Sequence, residues 1–382
     1  MISRTVFWLS LVSLCTDVAS EMLYPVMPVY LRSIGFSLLW IGILEGVAEA
    51  VAGLSKSYFG GLSDRAAKRL PFVQAGYALS AISKPMMAMF TYVWWVFAAR
   101  TVDRLGKGIR TGARDAILSD EATPDTKGAV FGFHRSMDTL GAVLGPLFAL
   151  IYLYYNPGAY RTMFFLAFLP GMIAIAFTLL VKEKKTVHVA KQKLNLLEGF
   201  RYWKHANPQF RSTATVLLLF ALFNSSDVLL LLKIKESGHN DNTVIGIYIF
   251  YNLVFALLAY PLGKLADRVG LKKILFLGLI CFAFTYAGFA INNSFWGFVL
   301  LFMLYGLYAA GTEGISKALL TNQVDRKETA TAIGTYTGFQ SLAALFASSF
   351  AGWLWYSFGP LYAFLSSAIA ALLAAFLILR SK

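Results

Sequence analysis

Apolar stretches alternate with short connections rich in Gly, Pro, Asn and charged residues along the whole chain. A transmembrane helix needs about 20 apolar residues, and a connection brings each unit to about 30, so the 382 residues have room for about 12 spans. Stretches such as 216–223 and 369–379 are apolar on every face, whereas the strands of a membrane β-barrel alternate. The pattern therefore predicts an all-α polytopic membrane protein.

The ends of the apolar windows give the bounds of each predicted helix. The first six fall at 5–32, 38–59, 71–91, 93–118, 127–154 and 160–181. The second six fall at 211–234, 243–263, 272–291, 295–321, 329–356 and 360–379. This gives 12 transmembrane helices in two sets of six.

Composition supports the membrane class, because 58% of the residues are hydrophobic and only 14% are charged. Soluble proteins average about 25% charged residues, so a globular soluble enzyme is excluded. The first apolar stretch contains Asp17 and Glu21 and lacks a cleavage site of small residues, so we expect a first span there and no signal peptide. Cys15 and Cys281 lie in different spans and give no disulfide framework.

The net charge of +14 is concentrated in alternate connections. Connections after even-numbered spans carry the basic stretch 182–211 and Arg65, Lys68, Arg69, Lys127, Arg268, Lys272, Lys273, Arg326 and Lys327. Those after odd-numbered spans carry little beyond Arg32, Arg161, Lys233 and Lys235. Since basic loops stay in the cytoplasm, we expect a multi-pass protein of the cell membrane with both termini and the middle loop cytoplasmic. This loop is expected to contact anionic lipid, not nucleic acid.

The middle loop, 182–210, separates two halves that match each other in sequence. Gly60-Gly-Leu-Ser-Asp64-Arg65 recurs as Gly263-Lys-Leu-Ala-Asp267-Arg268, and Phe131-Gly132 recurs as Ile333-Gly334 at nearly the same spacing. Internal repeats on either side of a central loop are typical of transporters built from two similar bundles. The expected division is an N-terminal six-helix bundle at 1–181, a basic linker at 182–210 and a C-terminal six-helix bundle at 211–382.

At these residues the sequence resembles the major facilitator superfamily, whose Gly-x-Leu-Ala-Asp-Arg-x-Gly-Arg-Lys motif lies between helices 2 and 3 and is often repeated between helices 8 and 9. The second copy includes Gly263, Asp267, Arg268 and Gly270, whereas the first departs from the motif at Ala67. The resemblance covers nearly the whole chain. It implies a 6+6 helical fold and a transporter that works by alternating access.

The motif also has a physical interpretation. Gly60 and Gly263 are expected to end helices where backbones approach closely, and Asp64 and Asp267 to cap or pair at a neighbouring helix terminus. Contacts of this kind hold one side of a transporter shut and break when it opens. We therefore assign a gating role to Gly60, Asp64, Arg65, Gly263, Asp267, Arg268 and Gly270. The alternative is that basic loop residues only fix topology.

Gly141, Gly145 and Pro146 in the fifth span resemble the Gly-x-x-x-Gly-Pro pattern associated with antiporters of this superfamily. The trailing Gly pair of that pattern is absent. Glycines four residues apart let two helices approach closely, and proline permits a kink. A helix-packing role and a mechanistic role both remain open.

Charged residues lie within several predicted spans, mostly in the first half. Such residues cost at least about 2.5 kcal/mol each on insertion scales, so they face a cavity or a partner. Arg100, Arg104 and Lys107 share one face of the fourth span, in a segment similar to the superfamily's Arg-x-x-Gln-Gly pattern. We assign proton coupling to Asp17 as acceptor, Glu21 as secondary carboxylate and Arg104 as the partner that sets their pKa. The alternative is a set of permanent ion pairs.

Further polar residues within spans are candidates for the substrate cavity. They are Tyr24, Glu45, Glu49, Arg100, Lys107, Asp138, Asp227, Glu313, Lys317 and Gln340. For Asp227, a simple interhelical hydrogen bond is the alternative. No cofactor and no His/Cys metal site is expected, although a carboxylate-only cation site in the first two spans stays open.

Three functions fit the sequence. The favoured one is proton-coupled export, by antiport, of small organic molecules or drugs by a monomer in the bilayer. The second is proton-coupled or facilitative uptake of a small, possibly anionic, solute, because a basic helix face binds carboxylate or phosphate. The third, a polytopic membrane enzyme or receptor, is disfavoured by the duplicated loop motif. No phosphate-binding Gly-x-x-x-x-Gly-Lys loop is present, so ATP-driven transport by this chain alone has no support.

Overall fold

The computed structural model describes residues 2–24, 26–36, 38–66, 68–184 and 198–380. Within these ranges the ordered elements are helices, with a 3-10 turn at Arg326–Glu328 and no strand. The helices are α1 Arg4–Glu21, α2 Met27–Ser33, α3 Leu38–Ala66, α4 Leu70–Met89, α5 Val93–Asp120, α6 Lys127–Tyr155, α7 Tyr160–Thr178, α8 Glu198–His205, α9 Pro208–Ala221, α10 Asp227–Glu236, α11 Asp241–Val269, α12 Leu271–Ile291, α13 Phe295–Thr321, α14 Thr329–Phe358 and α15 Pro360–Arg380.

The all-helical prediction is confirmed, and most predicted spans match one helix within a few residues. Several starts are fixed by side chains that accept the first free amides, such as Ser3 from Val6, Asn240 from Thr243 and Ser294 from Gly297. Of the helices in the described part of the chain, α6, α7, α11, α12, α13 and α15 are long and apolar enough to cross a bilayer by length and composition alone. Helix α5 departs from this pattern because of its many charged residues.

Two predicted spans are each interrupted. The span expected at 5–32 is divided into α1 and α2, and Pro28 lies in the first turn of α2, where a missing N–H is tolerated. The span expected at 211–234 is divided into α9 and α10 at Asn224-Ser225-Ser226, whose side chains compete with the backbone for hydrogen bonds. A single apolar window did not reveal either interruption.

The linker expected as a loop at 182–210 contains α8 and the start of α9. Helix α8 packs against α3. Its Tyr202 is partly buried near Glu328, Asp64 and Asp325, and burial and these carboxylates raise the pKa of the phenol. Residues 185–197 of the predicted linker lie outside the described residues.

The chain divides into two compact units. Unit 1 comprises 1–121, 137–205 and 325–338, and unit 2 comprises 122–136, 206–324 and 339–382. The first part of α6 therefore belongs to unit 2, and the first part of α14 belongs to unit 1. The predicted division at 182–210 stays a prediction.

Close backbone contacts at glycines explain why the first part of α14 packs in unit 1 and the first part of α6 packs in unit 2. In unit 1, a Cβ added at Gly338 would lie 2.7 Å from the carbonyl oxygen of Gly53, and one at Gly112 would lie 2.8 Å from that of Ala330. In unit 2, Gly132 of α6 approaches Ala259 and Gly263 of α11 just as closely. Only glycine permits such backbone contact.

Each unit has its own apolar core. In unit 1, Leu23, Met87 and Phe164 pack around the interruption between α1 and α2, and the Tyr30 hydroxyl donates to the Met87 carbonyl at 3.1 Å. In unit 2, α12 packs against α13 and α15, and Phe282 and Tyr286 are fully buried between them.

Candidate functional site

A compact ion-pair cluster lies between α4 and α5 in unit 1. The ammonium of Lys84 is 2.8 Å from Asp103 Oδ1, and Arg100 Nη1 is 3.4 Å from Asp103 Oδ2. All three side chains are largely buried. Ser83 adds a hydroxyl bond to Asp103 at 3.3 Å. A carboxylate with two cations and a hydroxyl donor is a fixed structural pair, which places the predicted cavity residue Arg100 in a packed cluster.

A second and looser pair lies one turn further along α5. Arg104 Nη2 is 3.5 Å from Glu49 Oε1 of α3, and the Glu49 side chain is 42% exposed while that of Arg104 is 15% exposed. The longer distance and the exposed carboxylate distinguish this pair from the Lys84–Asp103 pair. An ion pair with one exposed partner contributes little stabilising free energy.

The residues predicted for proton coupling lie near this loose pair. Arg104 and Lys107 are close enough to Glu21 to act on its charge, and Asp17 acts on Lys107 in the same way. Arg104 forms an ion pair with Glu49, however, which the sequence analysis assigned to the cavity. The structure thus brings carboxylates of α1 and α3 to the basic face of α5. Their role in coupling stays a prediction.

Asp138 of α6 lies in a buried hydrogen-bond network. Its Oδ1 accepts a hydrogen bond from the Ser13 hydroxyl, and Arg114 Nη1 lies 3.4 Å from the same hydroxyl. Arg114 also pairs with Asp115 at 2.9 Å. Asp138 is only 6% exposed. This network ties α1, α5 and α6 together, so Asp138 does not face an open cavity in this conformation.

The glycine-proline motif of α6 lies against α1. A Cβ added at Gly141 would be 2.6 Å from the Leu14 carbonyl oxygen and 2.8 Å from Asp17 Cβ. One at Gly145 would be 2.7 Å from the Met22 amide nitrogen. Pro146 lies inside the continuous helix α6. These glycines therefore allow the close contact that places Asp17 beside α6.

The remaining predicted cavity residues are dispersed. Tyr24 is 53% exposed just beyond the end of α1. Gln340 is exposed on α14, and Lys317 is partly exposed on α13. Lys107 is exposed on α5. The side chain of Glu45 lies outside the described residues.

Unit 2 contains a tyrosine-rich polar centre at the interruption between α9 and α10. The Tyr305 hydroxyl donates to Asp227 Oδ1 at 2.6 Å, and the Asn224 amide donates to the Tyr308 hydroxyl at 3.0 Å. The rings of Tyr305 and Tyr308 are stacked, with centroids 5.3 Å apart. Tyr251 packs on Tyr305 at 4.9 Å. Asp227 therefore lies beside aromatic rings and hydroxyl groups.

Glu313 forms an ion pair with Arg135, in the part of α6 that belongs to unit 2. The Arg135 guanidinium also lies 5.4 Å from the ring centroid of Phe255. Both charged side chains are roughly one-third exposed or more, at 31% and 41%. Glu313 is therefore a partly solvated member of a pair.

The first loop carboxylate binds the N-terminus of α14. Asp64 Oδ2 accepts hydrogen bonds from the amide and the hydroxyl of Thr331 at 2.7 and 2.8 Å. Arg69 Nη2 is 2.9 Å from Asp64 Oδ1 and donates to the carbonyl of Arg326 at 2.6 Å. Arg69 also pairs with Asp120. A carboxylate at a helix N-terminus is stabilised by the free amides and the helix dipole.

The second loop carboxylate repeats this arrangement at α6. Asp267 Oδ1 and Oδ2 accept from the amides of Gly128 and Ala129, both at 2.7 Å. Gly270 has φ +109°, a conformation that side chains disfavour, where α11 turns into α12. Arg268 is exposed and Arg65 is partly buried. The guanidinium that the structure places on a loop carboxylate is that of Arg69.

Gly60 and Gly263 do not end their helices, as the sequence analysis expected. Helix α3 continues to Ala66 and α11 to Val269, because the motif residues extend the last helical turns. Both glycines nevertheless lie in backbone contact, Gly60 with Ala330 and Gly263 with Gly128. Their close approach accounts for the motif's glycine.

Sequence reasoning did not assign a site role to Arg69, to the Lys84–Asp103 pair or to the rings of Tyr251 and Tyr286. Arg69 was detectable as the basic residue at the end of the first motif copy. The pair was suggested by opposite charges in adjacent spans, but spacing alone does not give the facing sides of two helices. Among the described residues, no three His, Cys, Asp or Glu side chains are grouped as a metal site would require.

Comparisons with known proteins cover nearly the whole chain. The sequence model described as Major Facilitator Superfamily matches residues 9–243 and 214–382. An uncharacterised MFS-type transporter of Methanocaldococcus jannaschii is 30% identical, over 99% of this chain and 95% of that protein. The multidrug resistance protein MdtG of Klebsiella pneumoniae is 25% identical, over 72% of this chain and 68% of that protein. The crystal structure of the human organic anion transporter MFSD10 matches with a TM-score of 0.83 at 17% identity, over 98% of this chain and 99% of that one.

Proposed function

Because the chain belongs to the Major Facilitator Superfamily, we propose that it is a secondary transporter that exports small organic molecules in exchange for protons. Family membership makes it a membrane transporter with the fold of 12 helices in two six-helix bundles, and makes transport its activity in preference to catalysis. Direction, coupling ion and substrate are the proposal.

The observation that carries proton coupling is the contrast between two ion pairs on α5. Asp103 is enclosed by Lys84 and Arg100, whereas Arg104 meets the exposed carboxylate of Glu49 at 3.5 Å. A loosely paired guanidinium exchanges its carboxylate partner at lower cost than an enclosed one, and a carboxylate that loses its cation binds a proton more readily. If the exchange accompanies a change of conformation, proton binding and transport are linked.

We assign the proton-carrying role to Asp17, with Glu21 as a second carboxylate. Both lie on α1 near the basic face of α5, where Lys107 and Arg104 act on them. In this scheme Arg104 pairs with Glu49 in one state and with a carboxylate of α1 in another. Helix α6 supports Asp17 through the Gly141 contact.

The loop carboxylates are proposed to form the gate. Asp64 binds the N-terminus of α14 and Asp267 that of α6, each through backbone amides of a helix from the other half of the sequence. These bonds hold one end of the transporter closed and break when that end opens. Arg69 strengthens the first of them.

Export is favoured over uptake by the relatives. MdtG, which matches over most of this chain, is named a multidrug resistance protein. Uptake of a small anionic solute is the second candidate, because Lys107 is exposed on the same helix face as Arg100 and Arg104. Arg104 and Lys107 suit a carboxylate or phosphate, whereas Arg100 is already paired with Asp103.

The proposed topology places both termini and the basic linker in the cytoplasm of a cell membrane, with the protein acting as a monomer. The charge distribution among the connections supports this orientation. Fusion of a cytoplasm-active reporter to either terminus should give signal. A signal only from a reporter active outside the cytoplasm would reverse the orientation.

The test uses inside-out membrane vesicles with an acidic lumen, reported by a pH-sensitive dye. Ethidium and benzoate serve as cationic and anionic probes. A proton-coupled exporter carries its probe into the lumen and releases protons, so the dye reports alkalinisation. Asp17→Asn should abolish this response while Glu236→Gln, at the exposed end of α10, keeps it. Probe entry that is equal with and without the proton gradient contradicts proton coupling, and exit of benzoate with protons supports uptake instead.

A further inference from the structure

The non-helical segment 222–226 lies inside a predicted membrane span yet contains neither Gly nor Pro. Backbone that leaves the helix at membrane depth is tolerated only where protein buries it or where it faces a water-filled cavity. Interrupted helices of transporters typically surround a binding site. The interruption therefore has a cause other than Gly or Pro.

Three tyrosines of α12 and α13 hold this segment. The hydroxyl of Tyr308 accepts from Asn224 Nδ2 at 3.0 Å, and that of Tyr286 lies 3.3 Å from Ser225 Oγ. The hydroxyl of Tyr305 donates to Asp227 at 2.6 Å. Specific side-chain contacts thus stabilise the interruption. Two hydrogen-bond acceptors lie beside the rings, the carboxylate of Asp227 and the amide oxygen of Asn224.

The side-chain oxygens of Asn224 and Asp227 at this interruption are hydrogen-bond acceptors. Asn224 Oδ1 is buried and has no hydrogen-bond partner among the described residues. Within the described residues, Asp227 forms no ion pair with a Lys, Arg or His, and its side-chain hydrogen-bond donor is the neutral hydroxyl of Tyr305. A carboxylate that accepts one neutral hydroxyl, beside an amide oxygen without a donor, is complementary to a group that has both positive charge and N–H bonds.

The rings favour the same class of ligand. Tyr251, Tyr305 and Tyr308 pack with centroids 4.9 and 5.3 Å apart, next to the Asp227 carboxylate. Aromatic faces attract cations that come within about 6 Å of the ring centre, and they also pack against hydrocarbon. An arylalkylamine combines an ammonium group with a flat apolar body.

We propose that the segment 222–226 and the tyrosines around it form a subsite for a protonated amine. The ammonium donates to Asp227 and to Asn224 Oδ1, and the apolar part of the ligand lies against Tyr251, Tyr305 and Tyr308. The subsite names the substrate class of the proposed exporter and so rests on the proposed function. The competing interpretation is that Asp227 only accepts the Tyr305 hydrogen bond and binds no ligand.

The test measures equilibrium binding to the purified full chain by calorimetry. The probes are phenethylamine, its N,N,N-trimethyl derivative, which keeps the charge without N–H bonds, and 3-phenylpropionate, which has the opposite charge. We expect phenethylamine to bind most tightly and phenylpropionate least. Asp227→Asn should weaken phenethylamine binding about tenfold or more, since hydrogen bonds to charged groups contribute about 1.5–3 kcal/mol. Asn224→Leu should weaken it less.

Two controls separate ligand binding from folding. Asp227→Glu keeps the charge and should retain most of the affinity, and Glu236→Gln removes an exposed charge of the same helix and should leave affinity unchanged. Equal affinity of wild type and Asp227→Asn overturns the subsite, as does tighter binding of phenylpropionate or no binding of phenethylamine. The assay has no membrane or proton gradient, so its outcome is independent of coupling. Amine binding without proton-driven flux would remove the proposed function alone.

Discussion

The two units place different chemistry in the middle of their spans. Unit 1 contains interlinked ion pairs on α5, from the enclosed Lys84–Asp103 pair to the open Arg104–Glu49 pair. Unit 2 places the carboxylate of Asp227 against tyrosine rings. Charged groups within a membrane persist only with a partner or a function. In the proposed function, unit 1 responds to protons and unit 2 binds the ligand.

The loop carboxylates of the two units, in contrast, do the same thing. Asp64 and Asp267 both accept backbone amides at the start of a helix. Within the described residues, Asp64 differs from Asp267 in also having a buried guanidinium, that of Arg69. The sequence repeat has therefore preserved the cap in both copies, while the cluster around it is larger in unit 1.

The largest effect is expected at the enclosed pair of unit 1. Lys84→Met removes the closer of the two cations and leaves the buried Asp103 with Arg100 at 3.4 Å and the Ser83 hydroxyl, so we expect a loss of about 3–5 kcal/mol of stability. Thermal unfolding of the detergent-solubilised chain measures this loss. The double variant Lys84→Met/Asp103→Leu should recover much of it. A single variant as stable as wild type would show that the pair is not a structural element of unit 1.

The next effect compares the two loop caps. Asp64→Asn removes the charge that binds Arg69 and Thr331 and should lower the free energy of unfolding by about 3 kcal/mol. Asp267→Asn weakens two hydrogen bonds from backbone N–H groups and should lower it by about 1.5 kcal/mol. Unfolding midpoints of both variants give the comparison. Equal losses would mean that Arg69 adds nothing to the cap.

A smaller effect is expected at the contact between α6 and α1. Gly141→Ala places a methyl group 2.6 Å from the Leu14 carbonyl oxygen and should destabilise unit 1 by about 1–3 kcal/mol. The control is Gly246→Ala on α11, where nothing lies within 4 Å and alanine should be neutral or stabilising. Both are measured by thermal unfolding. If the two variants behave alike, the glycines of α6 are not needed for close packing.

The smallest effect concerns the centre of unit 2. Tyr305→Phe removes the hydroxyl that donates to Asp227 and should cost about 1.5 kcal/mol. Tyr362→Phe, on a ring that is 57% exposed, should change unfolding by less than about 0.5 kcal/mol. An unchanged midpoint for Tyr305→Phe would argue that Asp227 has other donors in the native state.

Much of the fold was accessible from the sequence. Apolar length and capping residues set most helix bounds, and the repeated loop motif led to the family, which is confirmed. The interruptions between α1 and α2 and between α9 and α10 were not predicted. The second depends on tertiary contacts such as those of Tyr286 and Tyr308 with Ser225 and Asn224. Average apolarity over a window does not register such contacts.

The candidate site was accessible only as a set of residues. The sequence shows the carboxylates Asp17, Glu21 and Glu49 and the basic face of α5. It does not show that Arg104 pairs with Glu49, because this pairing depends on how the helices are rotated about their axes. Likewise, the sequence names Asp64 and Asp267 without naming the helices whose amides they bind. Hydrogen-bond partners that are distant in sequence are determined by how the helices pack, and a single sequence does not reveal this packing.

The central claim is that carboxylates facing α5 couple protons to transport. Its most direct test is to measure how the Asp17→Asn substitution changes proton-driven accumulation of a probe. Wild type, Asp17→Asn and Glu236→Gln are reconstituted in liposomes with an imposed pH gradient, with ethidium and phenethylamine as probes. Wild type and Glu236→Gln should accumulate a probe against its gradient. Asp17→Asn should exchange probe across the membrane at equilibrium but accumulate none. Accumulation by Asp17→Asn equal to that of wild type would contradict the claim.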